Sequence, residues 1–193
     1  MSCAGSSSSG PVVRSVARDA AHRFSKEPVG GIELVEGLGV AGDAHAGRTI
    51  QHRSRLRRDA DAPNLRQVHL IAEEFLAEAA EWGYAVGPGA LGDNVLTAGL
   101  DLLGLPQGTM LTFGECSDDP CAAIEVTGLR NPCRQIDRFQ DGLLRVALEQ
   151  RPDGTLIRKV GIMAVVTRGG PVRPGMPIGV HLPAVPHQLL APV

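Results

Sequence analysis

Aromatic side chains are scarce in this chain, with one Trp, one Tyr and four Phe in 193 residues. A protein that grips single-stranded nucleic acid stacks bases on aromatic faces, so that class of function has little to work with here. Neither sign of charge dominates. The net charge of -2 and a pI near 6.3 give no general attraction to nucleic acid or to an anionic membrane surface. Long apolar runs are missing too: the longest near the C-terminal end, IMAVV (162–166), is far below the roughly 18 residues that a spanning helix needs. The start, MSCAGSSSSGPVV, has neither the basic opening nor the apolar core of a secretory signal, which makes a cytoplasmic location the expectation. Cysteine is sparse, and without an export signal Cys3, Cys116, Cys121 and Cys133 read as thiols rather than as a disulfide framework.

The composition, 43% apolar and 21% charged, is that of an ordinary soluble globular chain of one domain. Residues 1–11 read as a disordered Ser/Gly tail, 12–182 as the domain and 183–193 as a C-terminal tail. Eight short runs with β-branched residues lie between Gly or Pro punctuation: VVRSVARD, VGGIELV, RQVHLIA, DNVLTAG, GTMLTFG, CAAIEVTGL, KVGIMAVV and PIGVHL. They predict a mainly β domain with a few α-helices, a barrel or a curled sandwich. Helices are expected over 73–82, on a stripe of Phe75, Leu76, Ala79 and Trp82, and over 132–150, with Gly142 as a break.

Chemistry concentrates at TGLRNPCRQID (127–137). Asn131 suits an N-cap and Pro132 a first helical position, which would put Cys133 in a first turn between Arg130 and Arg134. Such surroundings favour a thiolate, useful as a nucleophile or as a ligand to a soft metal; a small buried apolar cysteine is the plainer alternative. Cys116 and Cys121 flank SDDP, but with Cys133 they do not match the spacing of a zinc knuckle or ribbon. The second constellation is GVAGDAHAGR (39–48), a tight loop carrying Asp43, His45 and Arg48. Its polar groups could bind a metal, orient a base, hydrogen-bond a ligand, or simply cap a turn. Arg48, Arg53, Arg55, Arg57 and Arg58 form a basic run suited to phosphate or to plain solvation. The G-x-G of GLGVAG (37–42) lacks a following βαβ unit, which argues against a dinucleotide.

FSKEPV, GVAGDAHAGR, NLRQVHLI, GALGDNVLTAGLDLLGLPQGTML, IEVTGLRNPCRQID and RKVGIMAVVTRGGPVRPGMPI, in that order from about Val12 to Val180, together resemble the MOSC domain family, named for the C-terminal domain of molybdenum cofactor sulfurase. The resemblance implies a MOSC-type β-barrel and a role with the molybdenum cofactor (molybdopterin), either as an oxidoreductase of N-hydroxylated compounds or in sulfur transfer. It places on Cys133 the residue that ligates molybdenum or carries a persulfide. It implies Lys26, Arg48, Arg130 and Arg158 as receivers of the anionic cofactor, and Asp43, His45 and Asn94 as groups that hydrogen-bond pterin or substrate or move a proton. A metal-free persulfide carrier and a non-catalytic cofactor-binding module are the rival readings. The expected partners are a small-molecule substrate and a redox or sulfur-donor protein, with no nucleic acid and no membrane. Asp93-Asn94 stands where the family often has Glu-Asn, Gly175-Met176 where it has Gly-Asp, and RRDADAP (57–63) lengthens the arginine loop.

Overall fold

The computed structural model describes residues 10–51, 61–115 and 121–193. The arginines at 53, 55, 57 and 58, together with Cys3 and Cys116, lie outside the described residues. Every one of the eight predicted runs contains a strand. In chain order the elements are β1 (Val12–Arg18), β2 (Glu27–Val29), β3 (Ile32–Val35), β4 (Gly39–Val40), β5 (Val68–Ala72), α1 (Glu73–Glu81), β6 (Val95–Ala98), β7 (Met110–Phe113) and β8 (Ala122–Leu129). There follow α2 (Gln135–Phe139), α3 (Leu143–Ala147), β9 (Leu148–Gln150), β10 (Leu156–Arg158), β11 (Ile162–Arg168), β12 (Gly170–Val172) and β13 (Ile178–His181).

Eight strands form one sheet in the order β13-β7-β8-β11-β5-β6-β1-β2. Neighbours pair antiparallel except β5 and β6, which run parallel with α1 as their crossover. The sheet curls until its ends meet: Ile178 N donates to Pro11 O at 2.8 Å and Val13 N to Met176 O at 2.9 Å, so the start of β1 closes on the residues around β13. That contact curls the sheet into a half-barrel of the expected MOSC type, with β2 as its terminal strand. A three-stranded sheet, β12-β3-β4, packs beside it, and β9 and β10 form a separate hairpin.

Two apolar clusters follow from the curl. The interior one gathers Val16, Leu34, Leu70, Leu111, Ile124, Ile162 and their neighbours. The second lies where the three helices cover β5 and β6, with Ile71 and Leu96 facing Phe75, Ala79, Ile136, Leu143 and Ala147. Helix α1 presents Phe75 and Ala79 to it, as the stripe predicted. Trp82, counted in that stripe, lies past the last helical residue and is 70% exposed.

The predicted helix over 132–150 is two short helices and the strand β9. Gly142, at φ +84°, takes the left-handed conformation that breaks the stripe and becomes the N-cap of α3. The start also moves. Asn131 does not cap; its Oδ1 accepts from Arg158 Nε at 3.0 Å, and the first helical residue is Gln135. Cys133 therefore sits two residues before α2, its carbonyl accepting from Ile136 N at 3.0 Å, rather than within the helix. Cys121, expected as a free thiol, is disulfide-bonded, and Cys133 is the free cysteine among the described residues. Among the described residues no helix is long and apolar enough to cross a membrane.

Residues 183–193 are tied back to the barrel. Leu129 N donates to Ala191 O at 2.8 Å and Gln107 N to Gln188 O at 2.9 Å, beside the end of β8. Gly161, at φ +81°, opens β11; a Cβ there would run into the carbonyl oxygen of Leu70, and its own carbonyl receives Arg130 N at 3.0 Å. Gly154 has φ +84° but faces open space. Gly161→Ala should therefore lower unfolding free energy by about 2–4 kcal/mol, combining a left-handed backbone with overpacking. Gly154→Ala should cost only about 1 kcal/mol. Urea denaturation of both variants checks the contrast; equal losses would contradict this packing account.

Candidate functional site

The site grows from two buried charges. Lys26 enters from the β1–β2 connection and β2, and its backbone N donates to Gly89 O at 2.8 Å. Gly89, at φ +77°, must lack a side chain, because a Cβ would strike the carbonyl oxygen of Lys26. Lys26 Nζ meets Asp43 Oδ2 at 2.7 Å, with side chains only 4% and 2% exposed. The glycine-rich loop after β4 brings Asp43 there. Asp43 Oδ2 also accepts from Asn94 Nδ2 at 3.1 Å, while Oδ1 accepts from His45 N at 2.9 Å and lies 3.2 Å from His45 Nδ1. Asn94 donates to Ala17 O at 3.1 Å and accepts from His69 N at 3.2 Å, so one amide joins β1, β5 and the loop.

These contacts fix protonation states. Burial alone would raise the Asp43 carboxyl, but the His45 hydrogen bond and the Lys26 charge outweigh it and hold the carboxyl well below its ordinary 3.8. Burial lowers Lys26 below its ordinary 10.5, against the pull of Asp43. A carboxylate only accepts, so the His45 nitrogen facing it, Nδ1, is the one that carries a proton. His69 Nε2 donates to Val160 O at 2.8 Å, and burial followed by the nearby Arg130 charge keeps the ring neutral, well below 6.5. Asp93 is buried, which raises its carboxyl, and its Oδ2 accepts from Gly89 N at 2.9 Å.

In front of this network opens a cavity of about 640 Å³. It is lined by Cys133, His45, Lys26, Asn94 and Arg130 from among the expected residues, with Asp43 buried behind Lys26. The cavity wall also carries Arg23, Arg66, Arg134 and Arg138, so among the described residues six cations line it and no Asp or Glu does. Arg130 is the buried arginine among them: Nη2 donates to Leu91 O at 3.0 Å, whereas Nη1 is buried and has no hydrogen-bond partner among the described residues. An unpaired guanidinium nitrogen shut away from water is costly, and an anionic ligand in the cavity would satisfy it. Cys133 is exposed at the cavity, with Sγ 3.5 Å from Gln135 Oε1. The plainer alternative of a cysteine packed among aliphatic groups is excluded by that exposure.

Two expected residues are elsewhere. Arg48 is exposed and does not line the cavity; Arg158 binds Asn131 Oδ1 and Leu156 O on the β9–β10 side. Their separation in space follows from the strand order, which the motifs do not encode. Arg66 and His69 lie within a quoted motif without having been singled out, and no local pattern marks them. Arg138 had a signal: it sits four residues after Arg134, on the same side of α2. Among the described residues no three His, Cys, Asp or Glu side chains converge to hold a metal ion.

The barrel and its motifs fall in one family. A MOSC domain model matches residues 52–179, and the chain belongs to the MOSC domain family. Among solved structures it is similar to YuaD from Bacillus subtilis, with 24% identity and a TM-score of 0.70 over 90% of this chain and 97% of that one. It is also similar to YiiM from Escherichia coli (21% identity, TM-score 0.57, covering 92% of this chain and 73% of that one) and to YiiM from Geobacillus stearothermophilus (17%, 0.55, covering 93% and 76%). None of the curated proteins matches. At these identities the structural likenesses establish the fold. Membership of the family, which is associated with molybdenum cofactor binding, makes the chain a MOSC-type cofactor-binding protein.

The buried pair gives a test with a definite sign. A carboxyl held below 3.8 in the folded state contributes stability that is complete above that pH and is lost as pH falls toward the folded value. Asp43→Asn should lower unfolding free energy by about 3–5 kcal/mol at neutral pH, since it strands Lys26. The gap between wild type and variant should narrow below pH 3.8 in denaturation curves. A gap independent of pH would refute the ion-pair assignment.

Proposed function

We propose that this chain is a molybdenum cofactor-dependent oxidoreductase of N-hydroxylated compounds, with Cys133 as the protein's sulfur ligand to the metal. The observation that carries this reading is the convergence, on one cavity, of an exposed thiol and an Arg130 Nη1 that has no partner among the described residues, where no described Asp or Glu lines the wall. The donor set fits the group. A soft thiolate suits molybdenum, and the buried guanidinium suits the phosphate of the pterin. Lys26 and Asn94 line the same cavity and would hydrogen-bond the pterin, Lys26 keeping its charge through Asp43. When bound, the molybdenum centre supplies two electrons for cleaving an N–O bond.

The residues of the chain handle the protons and the water. Cleavage of the N–OH bond by two electrons takes up two protons, one at the oxygen, which leaves as water, and one from solvent at the nitrogen; His45 lines the cavity where the first would be delivered. Protonated at Nε2, the His45 ring is a cation whose charge Asp43 Oδ1 offsets at 3.2 Å. Asp43 thus orients the acid and stabilises its charged form while itself remaining ionised. Asn94 holds Asp43 in place through its 3.1 Å contact. Electrons would arrive from a redox protein, and Cys133, being exposed, lies on the accessible side.

That same exposure favours a second reading, in which Cys133 carries persulfide sulfur from a donor protein to an acceptor without a metal. Protein made in a host that synthesises the cofactor separates the two. Wild type should contain molybdenum and pterin, and Cys133→Ser should lose the metal while keeping its fold. His45→Asn should keep both and lose turnover by about 100-fold or more. An intact mass raised by about 32 Da at Cys133, with neither molybdenum nor pterin, would replace the first reading with the second.

A further inference from the structure

The cavity holds more positive charge than one buried phosphate requires. Lys26 is neutralised by Asp43, and Arg23 Nη1 lies 3.5 Å from Asp19. Arg130 is committed inward through Leu91 O. Arg66 engages a partner of its own, and Arg134 and Arg138 remain. Arg138 N donates to Arg134 O at 3.2 Å, which sets the two one helical turn apart, and both side chains line the cavity. Both residues are exposed, and neither guanidinium has a hydrogen bond or ion pair among the described residues. Like charges one turn apart repel. Here they share a cavity wall with the one free thiol among the described residues, and among those residues no carboxylate lines that wall to relieve them.

We propose that Arg134 and Arg138 form a second anion subsite at the mouth of the cavity, and that the substrate handled at Cys133 carries a carboxylate, phosphate or sulfonate. This rests on the reading of Cys133 as the reacting centre. The buried Arg130 receives the cofactor's anion; the exposed pair receives the substrate's. A guanidinium pair grips such a group through charge-assisted, often bidentate hydrogen bonds, which fix orientation as well as affinity. The subsite therefore sorts substrates by charge, favouring acidic N-hydroxylated compounds over cationic ones that share the same reducible group.

The thiol itself is the probe, and the test needs no bound cofactor. In a Cys3→Ser background, alkylation of Cys133 is followed by peptide mass spectrometry with anionic iodoacetate and neutral iodoacetamide. Both lose iodide to the thiolate, so their rate ratio cancels any change in thiolate fraction and reports the local field. At low ionic strength Arg134→Gln/Arg138→Gln should lower the iodoacetate-to-iodoacetamide ratio by about tenfold, the size of effect that two nearby unit charges exert in high dielectric. Arg134→Lys/Arg138→Lys should largely preserve it. In loaded enzyme the Gln pair should raise KM for a carboxylate-bearing N-hydroxylated compound and spare its uncharged parent. An unchanged ratio overturns the subsite and leaves the cofactor reading intact. Loss of molybdenum and pterin from the Gln variant also overturns it, assigning the pair to the cofactor instead. If wild type itself binds no cofactor, the alkylation ratio still decides the subsite.

Discussion

An ammonium and a carboxylate, those of Lys26 and Asp43, are held 2.7 Å apart inside the protein, and the geometry of the cavity depends on that contact. Two charges leave water only when each finds the other and the remaining lone pairs are filled. Here they are filled from three directions: Asn94 from the start of β6, His45 from the glycine-rich loop, and the backbone of Asp19 after β1. The pair thus fastens segments that are distant in sequence to one point beneath the cavity floor. It also leaves His45 oriented, since the carboxylate that neutralises Lys26 is the one that accepts from the His45 ring.

The cavity uses its charges in two ways. At the floor, Lys26 has a carboxylate and serves as a positioned donor of reduced net charge. Along the wall, Arg130 is buried with one nitrogen that has no partner among the described residues, and Arg134 and Arg138, exposed and unpaired among those residues, line the same cavity as the thiol. Satisfying every arginine from within would have required acids in the wall. Among the described residues none lines it, which leaves an entering anion to do so and is the physical basis of the proposed affinity for an anionic cofactor and an acidic substrate.

The strands were legible because their signal is local: β-branched runs between Gly and Pro mark β1 and β11 as clearly as any in the chain. The short strands β2, β4, β9, β10 and β12 were missed, since two or three residues carry no alternation. The break at Gly142 was readable from the residue itself. The start of α2 was not, because Asn131 has the right chemistry to cap but is held by Arg158 from a strand 27 residues away. Cys133, His45, Lys26, Asn94 and Arg130 were found through motifs and do share a cavity. Arg48 and Arg158 came from the same motifs and lie outside it, because a motif records residue type while the curl of the barrel decides which face meets the cavity. His69 and Arg66 belong to that wall only by virtue of the β5 register, which no single segment reveals.

The central claim is that the free thiol and the unpartnered Arg130 nitrogen bind the two ends of one molecule. Diffraction from crystals of protein made in a cofactor-producing host, with anomalous data at the molybdenum edge, tests it directly. The account predicts a molybdenum peak at bonding distance from Cys133 Sγ and a phosphate on Arg130 Nη1. A metal peak bound elsewhere, or an Arg130 Nη1 paired with protein in a cavity closed to ligands, would contradict it.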